Sequence, residues 1–149
     1  FAAHYHKGEI EKTENILADS LKLLAVVSLF VFVIMVLFGG NVLRIFGEQY
    51  VEAAGLLSIL VCGQLINSLT GPCGKLLMMS GFEKDVRNSS VIVAASGLPL
   101  AFYMTAEYGV LGAAISTALT ISVQNIAFAW LVNYRLNMNL LRIYSKFFR

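Results

Sequence analysis

Apolar residues fill four long stretches of the chain, and none of these stretches contains a charged side chain. They cover residues 23–43, 53–74, 88–106 and 108–134, which together make up 89 of the 149 residues. An α-helix rises about 1.5 Å per residue, so about 20 apolar residues cross a hydrocarbon layer about 30 Å thick. The pattern predicts an all-α integral membrane helical bundle of four transmembrane helices, with spans at about residues 23–43, 53–79, 88–106 and 109–134.

Glycine and proline mark the expected interruptions of these helices. The glycine pair at residues 39–40 is predicted to stop the first helix, and Gly71-Pro72 is predicted to kink the second. A charged turn at residues 81–87 separates the second and third spans. The link between the third and fourth spans, residues 105–109, is so short that these two helices are expected to lie antiparallel and in contact.

Composition agrees with a membrane protein and argues against a water-soluble globule. The residues are 58% hydrophobic and 13% charged, whereas roughly a quarter of the residues of a soluble domain are charged. The formal net charge is only +2, and no basic block is interleaved with aromatic residues, so no nucleic-acid partner is expected. The chain opens on Phe1 without an initiator methionine, and we expect it to be the C-terminal part of a longer protein.

The basic residues are distributed unevenly between the two sides of a four-span arrangement. Arg44 lies alone on one side. The other side holds Lys7, Lys12, Lys22, Lys75, Lys84, Arg87, Arg135, Arg142, Lys146 and Arg149. Because cytoplasmic loops carry an excess of Lys and Arg, both ends of the chain are predicted to be cytoplasmic. Residues 1–22 then form a polar cytoplasmic connector, and the basic tail 135–149 is expected to lie on anionic membrane lipids.

Polar and small residues form one stripe on each of two spans. In the second span, Gly63, Asn67, Gly71 and Lys75 recur at every fourth position, with Gln64 and Ser68 beside them. In the fourth span the same spacing joins Gly112, Ser116, Thr120 and Gln124, with Thr117 and Asn125 beside them. Residues at this spacing share one face of a helix.

Two interpretations of these stripes remain open. Glycine, serine and threonine favour close helix packing, because small residues let two backbones approach and hydroxyls bond across the contact. The amides are costlier to bury, so Gln64, Asn67, Gln124 and Asn125 are candidates for the lining of a polar passage. Lys75 either extends its ammonium group to the membrane surface or faces the bundle interior, where it would attract a phosphate-bearing substrate.

Signatures of catalysis or metal binding are not found in the sequence. His4 and His6 are the only histidines, and they lie in the connector without a nearby cysteine. No nucleophile can be paired with a base from the sequence. The sequence therefore gives no positive support for catalysis, and we expect neither an enzyme nor a cofactor.

Several segments resemble the C-terminal region of bacterial polysaccharide biosynthesis flippases. The resemblance rests on Phe46-Gly47-Glu48-Gln49-Tyr50-Val51-Glu52-Ala53-Ala54, then Leu57, Ile59-Leu60, Gly63-Gln64, Asn67, Gly71-Pro72 and Met79-Ser80-Gly81. It extends to Tyr108-Gly109-Val110-Leu111-Gly112-Ala113-Ala114 and to the connector Tyr5 to Glu11. These motifs cover nearly the whole chain and consist mostly of glycines and small residues, so they indicate the family better than the substrate.

The resemblance implies a transporter of the superfamily that includes MATE drug exporters. Its members have about twelve helices in two lobes that rock around a central cavity, and these four spans would be the last four helices. The implied substrate is an undecaprenyl-pyrophosphate-linked oligosaccharide, and the implied partner is the missing N-terminal lobe. Lys75 and the amide stripe are the features here that would serve the cavity.

Three other functions are alternatives to a flippase. A cation or drug exporter of the same superfamily would be expected to hold a carboxylate within the membrane, and the spans contain none. A membrane-embedded glycosyltransferase would be expected to carry an acidic or histidine-bearing outer loop. A structural membrane subunit would be distinguished from a transporter by complementation.

Overall fold

The computed structural model describes residues 10–136, with side chains from residue 18 onward. The histidine pair, the start of the predicted connector and most of the predicted basic tail lie outside these residues. Within residues 10–136 the chain is helical apart from short turns. The helices are α1 (Ile10–Arg44), a 3-10 helix (Glu48–Ala53), α2 (Ala54–Thr70), α3 (Cys73–Met79) and α4 (Glu83–Leu136).

Helix α4 folds back on itself at Gly109, whose φ of 59° and ψ of −139° are not helical. Asp85 and Arg135 form an ion pair of 2.7 Å, although a continuous helix would place them about 75 Å apart. We call residues 83–108 the first arm and residues 110–136 the second arm. The arms run antiparallel and touch, which confirms the contact predicted for the third and fourth apolar stretches.

The predicted stop of the first helix at the glycine pair is wrong, because α1 continues to Arg44. A Cβ on Gly39 would lie 3.3 Å from Leu57 Cδ2, and one on Gly40 would lie 3.8 Å from Val51 Cγ1. The two glycines therefore bring α1 close to the segment that follows it. Glycine costs a helix roughly 1 kcal/mol relative to alanine but does not end it, and packing decides the outcome here.

The interruption predicted at Gly71-Pro72 is confirmed. Helix α2 ends at Thr70, and α3 begins at Cys73. Gly71 has φ 66° and ψ −154°, and a Cβ at this position would overlap the Leu21 side chain of α1. The break therefore lies directly against the first helix.

The charged turn is shorter than predicted. The structure turns at residues 80–82, and α4 begins at Glu83. Glu83 and Asp85 lie in its first turn, where acidic side chains interact favourably with the helix dipole. Most of the predicted turn 81–87 is therefore the start of a helix.

Helix α2 lies between α1 and the second arm. A Cβ on Gly63 would lie 3.0 Å from Ala118, and one on Gly74 of α3 would lie 3.1 Å from Phe128. The earlier glycine, Gly63, contacts the earlier residue of the second arm, Ala118, and the later glycine contacts the later residue. The α2–α3 segment and the second arm therefore run in the same direction. Thr120 is roughly 200° around the second arm from Ala118, so the first arm lies on the far side of the second arm from α2. The order across the layer is α1, α2 with α3, second arm and first arm.

The buried core is small and lies at one end of this layer. Its contiguous cluster consists of Leu21, Cys73, Leu76, Leu77, Val132 and Leu136, while Val93 and Ala114 are buried separately in the two arms of α4. Elsewhere large apolar side chains are exposed, as Leu23, Phe30 and Leu37 of α1 show at 66–69%. Within the described residues, three segments are long and apolar enough to cross a membrane: Ala18–Arg44, Glu48–Thr70 and Glu83–Leu136. A lipid environment removes the exposed apolar surface from water.

Candidate functional site

Two of the predicted site residues form a pair of amides on the surface of α2. Asn67 Nδ2 donates a hydrogen bond of 3.0 Å to Gln64 Oε1. Gln64 is exposed and Asn67 is half-buried. Among the described residues, the bond leaves one amide NH2 and one amide oxygen uncommitted, in this assignment of the amide atoms or in the flipped one. The pair therefore presents a donor and an acceptor side by side.

A groove of about 250 Å³ between α1 and α2 adjoins this pair. Its polar side chains are Gln64, Ser68 and Ser28. The remaining lining is apolar and consists of Leu24, Val27, Val31, Val61 and Leu65. The groove thus combines apolar walls with a few groups that form hydrogen bonds, which is the composition of many small-molecule sites.

The two amides of the second arm differ from each other. Asn125 Nδ2 donates 2.8 Å to the carbonyl oxygen of Ile121 in its own helix. Gln124 Nε2 is buried, and no partner for it is found among the described residues. A buried amide without a hydrogen bond costs roughly 1–3 kcal/mol. Gln124 is therefore the amide that still requires a partner.

Helix α2 has two open sides, because it contacts the second arm through Gly63 and α1 through the opposite face. Viewed down the axis of α2, Gln64 is rotated roughly 100° from Gly63 and Asn67 roughly 40° in the same sense. Both residues therefore lie on the same open side of the helix. Cys62, Ile66 and Leu69 are exposed on the other. One open side of α2 thus carries the two amides together with the exposed Leu60, and the other is apolar.

The second arm has the same division. Thr117 and Gln124 lie on one side of its contact residue Ala118. Exposed apolar side chains, among them Leu119, Val123, Ile126 and Trp130, lie on the other. Helix α2 and the second arm run parallel and face each other through Gly63 and Ala118. Clockwise rotation about each helix axis, starting from these contact residues, therefore leads to opposite faces of the layer. Gln64 and Thr117, which lie on opposite sides of their contact residues, therefore face the same way.

We call Gln64, Asn67, Thr117 and Gln124 the polar strip. The apolar strip on the opposite face of the layer comprises Cys62, Ile66, Leu69, Leu119, Val123, Ile126 and Trp130. Asn125 is roughly 20° from the direction of Ala118, so it lies toward α2 rather than in the polar strip. The structure thus brings together three of the five predicted site residues on one face of the layer.

Lys75 lies apart from the amides, on α3 beyond the break at Gly71. It is exposed, while Cys73, Leu76 and Leu77 of the same helix are buried in the core. Within residues 18–136 no hydrogen bond or ion pair joins Lys75 to an amide of the polar strip.

Several small residues of the two stripes serve helix packing. Gly63 lies against Ala118, and a Cβ on Gly97 of the first arm would lie 2.9 Å from the Thr120 side chain. Ser116 is fully buried and donates 3.0 Å to the carbonyl oxygen of Ala113. Close packing therefore describes Gly63, Ser116 and Thr120, whereas the amides, Ser68 and Thr117 retain the second interpretation.

The sequence did not indicate a charged cluster at the open end of the α4 hairpin. Arg135 is paired with Asp85, and its guanidinium carbon lies 5.6 Å from the ring centres of both Phe82 and Tyr134. The pair is 41% and 24% exposed, so its contribution to stability is modest. Its geometric effect is to hold the two arms together. The only signal in the sequence was that these charges flank the third and fourth apolar stretches.

No group of three His, Cys, Asp or Glu side chains that could hold a metal ion occurs in the described part of the chain.

Comparison with known proteins identifies a similar curated protein. The chain is 31% identical over 114 residues to a curated Shigella flexneri protein that carries the provisional name O-antigen transporter. The match covers 75% of this chain and 27% of that protein, so the chain spans about a quarter of the relative's length. No family model matches the chain, and no solved structure matches it.

Proposed function

We propose that this chain is the C-terminal part of an inner-membrane flippase that translocates undecaprenyl-pyrophosphate-linked oligosaccharides for surface polysaccharide synthesis. The observation that carries this proposal is the similarity to the Shigella flexneri protein named as an O-antigen transporter. Helices of membrane-spanning length and a strip of amides on one face of the layer support it. The protein acts by alternating access in a MATE-like fold, and the missing N-terminal lobe supplies the second half of the passage.

In this proposal the chain crosses the membrane four times. Helix α1, the α2–α3 segment and the two arms of α4 are the crossings. Both ends of the chain are cytoplasmic, together with the turn at residues 80–82, and Gly109 lies on the outer side. The buried core and the ion pair of Arg135 then stand at the cytoplasmic end. Isolated from its partner lobe, the chain does not transport.

The proposal gives the predicted site residues different roles. Gln64 and Asn67 line the passage, because their side chains are accessible on one face of the layer at membrane depth. Gln124 borders the passage, since its amide nitrogen is buried within the layer. Lys75 stands at the cytoplasmic mouth and attracts the pyrophosphate. Asn125 donates its hydrogen bond within its own helix. It lies between the second arm and α2, at the border of the passage.

Deletion of the native gene tests the function. Surface polysaccharide is expected to disappear while lipid-linked repeat units accumulate on the cytoplasmic leaflet, because the sugar units are assembled there and no longer cross. The leaflet is determined by access of a membrane-impermeant glycosidase in spheroplasts and in inside-out vesicles. Complementation with the wild-type gene controls for effects on neighbouring genes. Retention of the polysaccharide would refute the proposal, and accumulation on the outer leaflet would indicate a later step such as ligation.

A further inference from the structure

The polar strip and the groove beside it have a ligand preference of their own. Resting on the proposed function, we infer that Gln64 and Asn67 recognise sugar hydroxyl groups of the substrate and do not bind its pyrophosphate. The hydrogen-bonded amide pair, its exposure and the adjoining groove carry this inference.

Lipid is an unfavourable neighbour for the amide pair. Hydrocarbon offers no partner to the uncommitted NH2 group and oxygen, and each polar group without a partner carries a desolvation cost. The opposite face of α2 carries Cys62, Ile66 and Leu69, which hydrocarbon solvates well. The uncommitted amide groups therefore require a polar space on their side of the layer, whereas the opposite side suits lipid. The groove of about 250 Å³ has room for several water molecules, each occupying roughly 30 Å³.

The chemistry of the pair distinguishes sugar from phosphate. A pyrophosphate is an anion that accepts hydrogen bonds only, so cations and arrays of donors bind it. The Gln64–Asn67 pair is uncharged. Of its two uncommitted groups, the NH2 could donate to the anion, but the oxygen is an acceptor and would repel it. Neighbouring hydroxyls of a sugar ring both donate and accept, so one can accept from the free NH2 while the next donates to the free oxygen.

The rest of the groove fits the same ligand. Ser28 and Ser68 add hydroxyls on both of its sides, and Val27 and Leu65 supply apolar walls. A sugar ring presents C–H faces as well as hydroxyls, and sites with apolar walls and few polar groups orient such a ligand. Among the described residues that line the groove, none is basic. The charge needed to hold pyrophosphate is therefore placed elsewhere, as Lys75 on α3 is.

Cysteine labelling in the full-length parent protein tests the inference. Ser68→Cys places a reporter thiol in the groove, combined with Cys62→Ala to remove the exposed native thiol; Cys73 is buried and stays. Inside-out vesicles are treated with a charged, water-soluble maleimide. The probes are the oligosaccharide released by mild acid from the strain's own lipid carrier, and sodium pyrophosphate.

The thiol at position 68 is expected to react readily, whereas native Cys62 in a protein without the reporter is expected to stay unlabelled. Oligosaccharide at about ten times its Kd should slow labelling at position 68 roughly tenfold. Pyrophosphate at the same concentration should leave the rate unchanged. Protection by pyrophosphate, absence of protection by the oligosaccharide, or equal labelling of positions 62 and 68 would overturn the inference.

A matched pair of variants removes an amide from two different places. Gln64→Leu is expected to raise the oligosaccharide concentration for half-protection about tenfold, because one hydrogen-bond partner is lost. Asn133→Leu removes the same group from an exposed position outside the polar strip and should change nothing. If the deletion strain behaves as expected but the Gln64→Leu and Asn133→Leu variants are indistinguishable, only this inference fails. If the deletion strain keeps its polysaccharide, the proposed function fails instead.

Discussion

Replacement of Gly112 by alanine is expected to disrupt the α4 hairpin. The added Cβ would overlap the carbonyl group of Met104. This group belongs to the backbone of the opposing arm, which cannot rotate away as a side chain can. Overpacking a well-packed contact typically costs about 1–3 kcal/mol, and a clash with backbone should place Gly112→Ala at the upper end of that range. The measurement is thermal or denaturant unfolding of the purified parent protein in detergent.

Gly55→Ala is the control for this variant. No heavy atom lies within 4 Å of a Cβ built on Gly55, and the residue is in α2. Alanine at an open helical position stabilises by up to about 1 kcal/mol. The two glycine-to-alanine changes should therefore move the free energy of unfolding in opposite directions. Equal effects of both would show that the close contact of the two arms is absent.

The second large effect is expected for Gly71→Ala at the break between α2 and α3. Gly71 has φ 66° and ψ −154°, a conformation that costs a residue with a side chain about 1–3 kcal/mol. A Cβ would also overlap the side chain of Leu21, which is 1% exposed and belongs to the core. Strain and overlap add, so we expect a loss of about 3 kcal/mol or more in the free energy of unfolding.

Gly81→Ala separates the two contributions. Gly81 also has a positive φ of 86°, but a Cβ there meets nothing within 4 Å. This variant carries only the backbone strain, so it should lose clearly less stability than Gly71→Ala. Equal losses in the two variants would mean that the contact between Gly71 and Leu21 contributes nothing.

The sequence predicted those features of the fold that depend on local chemistry. Stretches without charge are long enough to cross a membrane whatever their neighbours are, and Pro72 lacks a backbone donor in any context. The glycine pair at residues 39–40 could not be interpreted locally, because glycine is compatible with a helix and with its end. The glycine pair packs closely against Leu57 and Val51, and these contacts involve residues that are distant in sequence. The start of α4 at Glu83 was missed for a similar reason, since charged residues occur both in turns and in first helical turns.

The candidate site was predicted only in part. Fourfold spacing placed Gly63, Asn67 and Gly71 on one face, but it could not tell which members a neighbouring helix covers. Gln124 and Asn125 are adjacent, yet roughly 100° separates them around the helix, so they lie in different surroundings. The ion pair of Asp85 and Arg135 could not be predicted from a local sequence pattern, because the fold joins residues that are fifty positions apart.

The separate membrane crossings of the two α4 arms are tested most directly by the sidedness of three engineered thiols. Lys84→Cys, Glu107→Cys and Asn133→Cys are introduced one at a time into the parent protein with Cys62→Ala, and intact cells are treated with a membrane-impermeant maleimide. The Glu107→Cys thiol is expected to react in intact cells, and the other two only after the membrane is opened. Reaction of all three thiols from the same side would contradict the crossing of both arms.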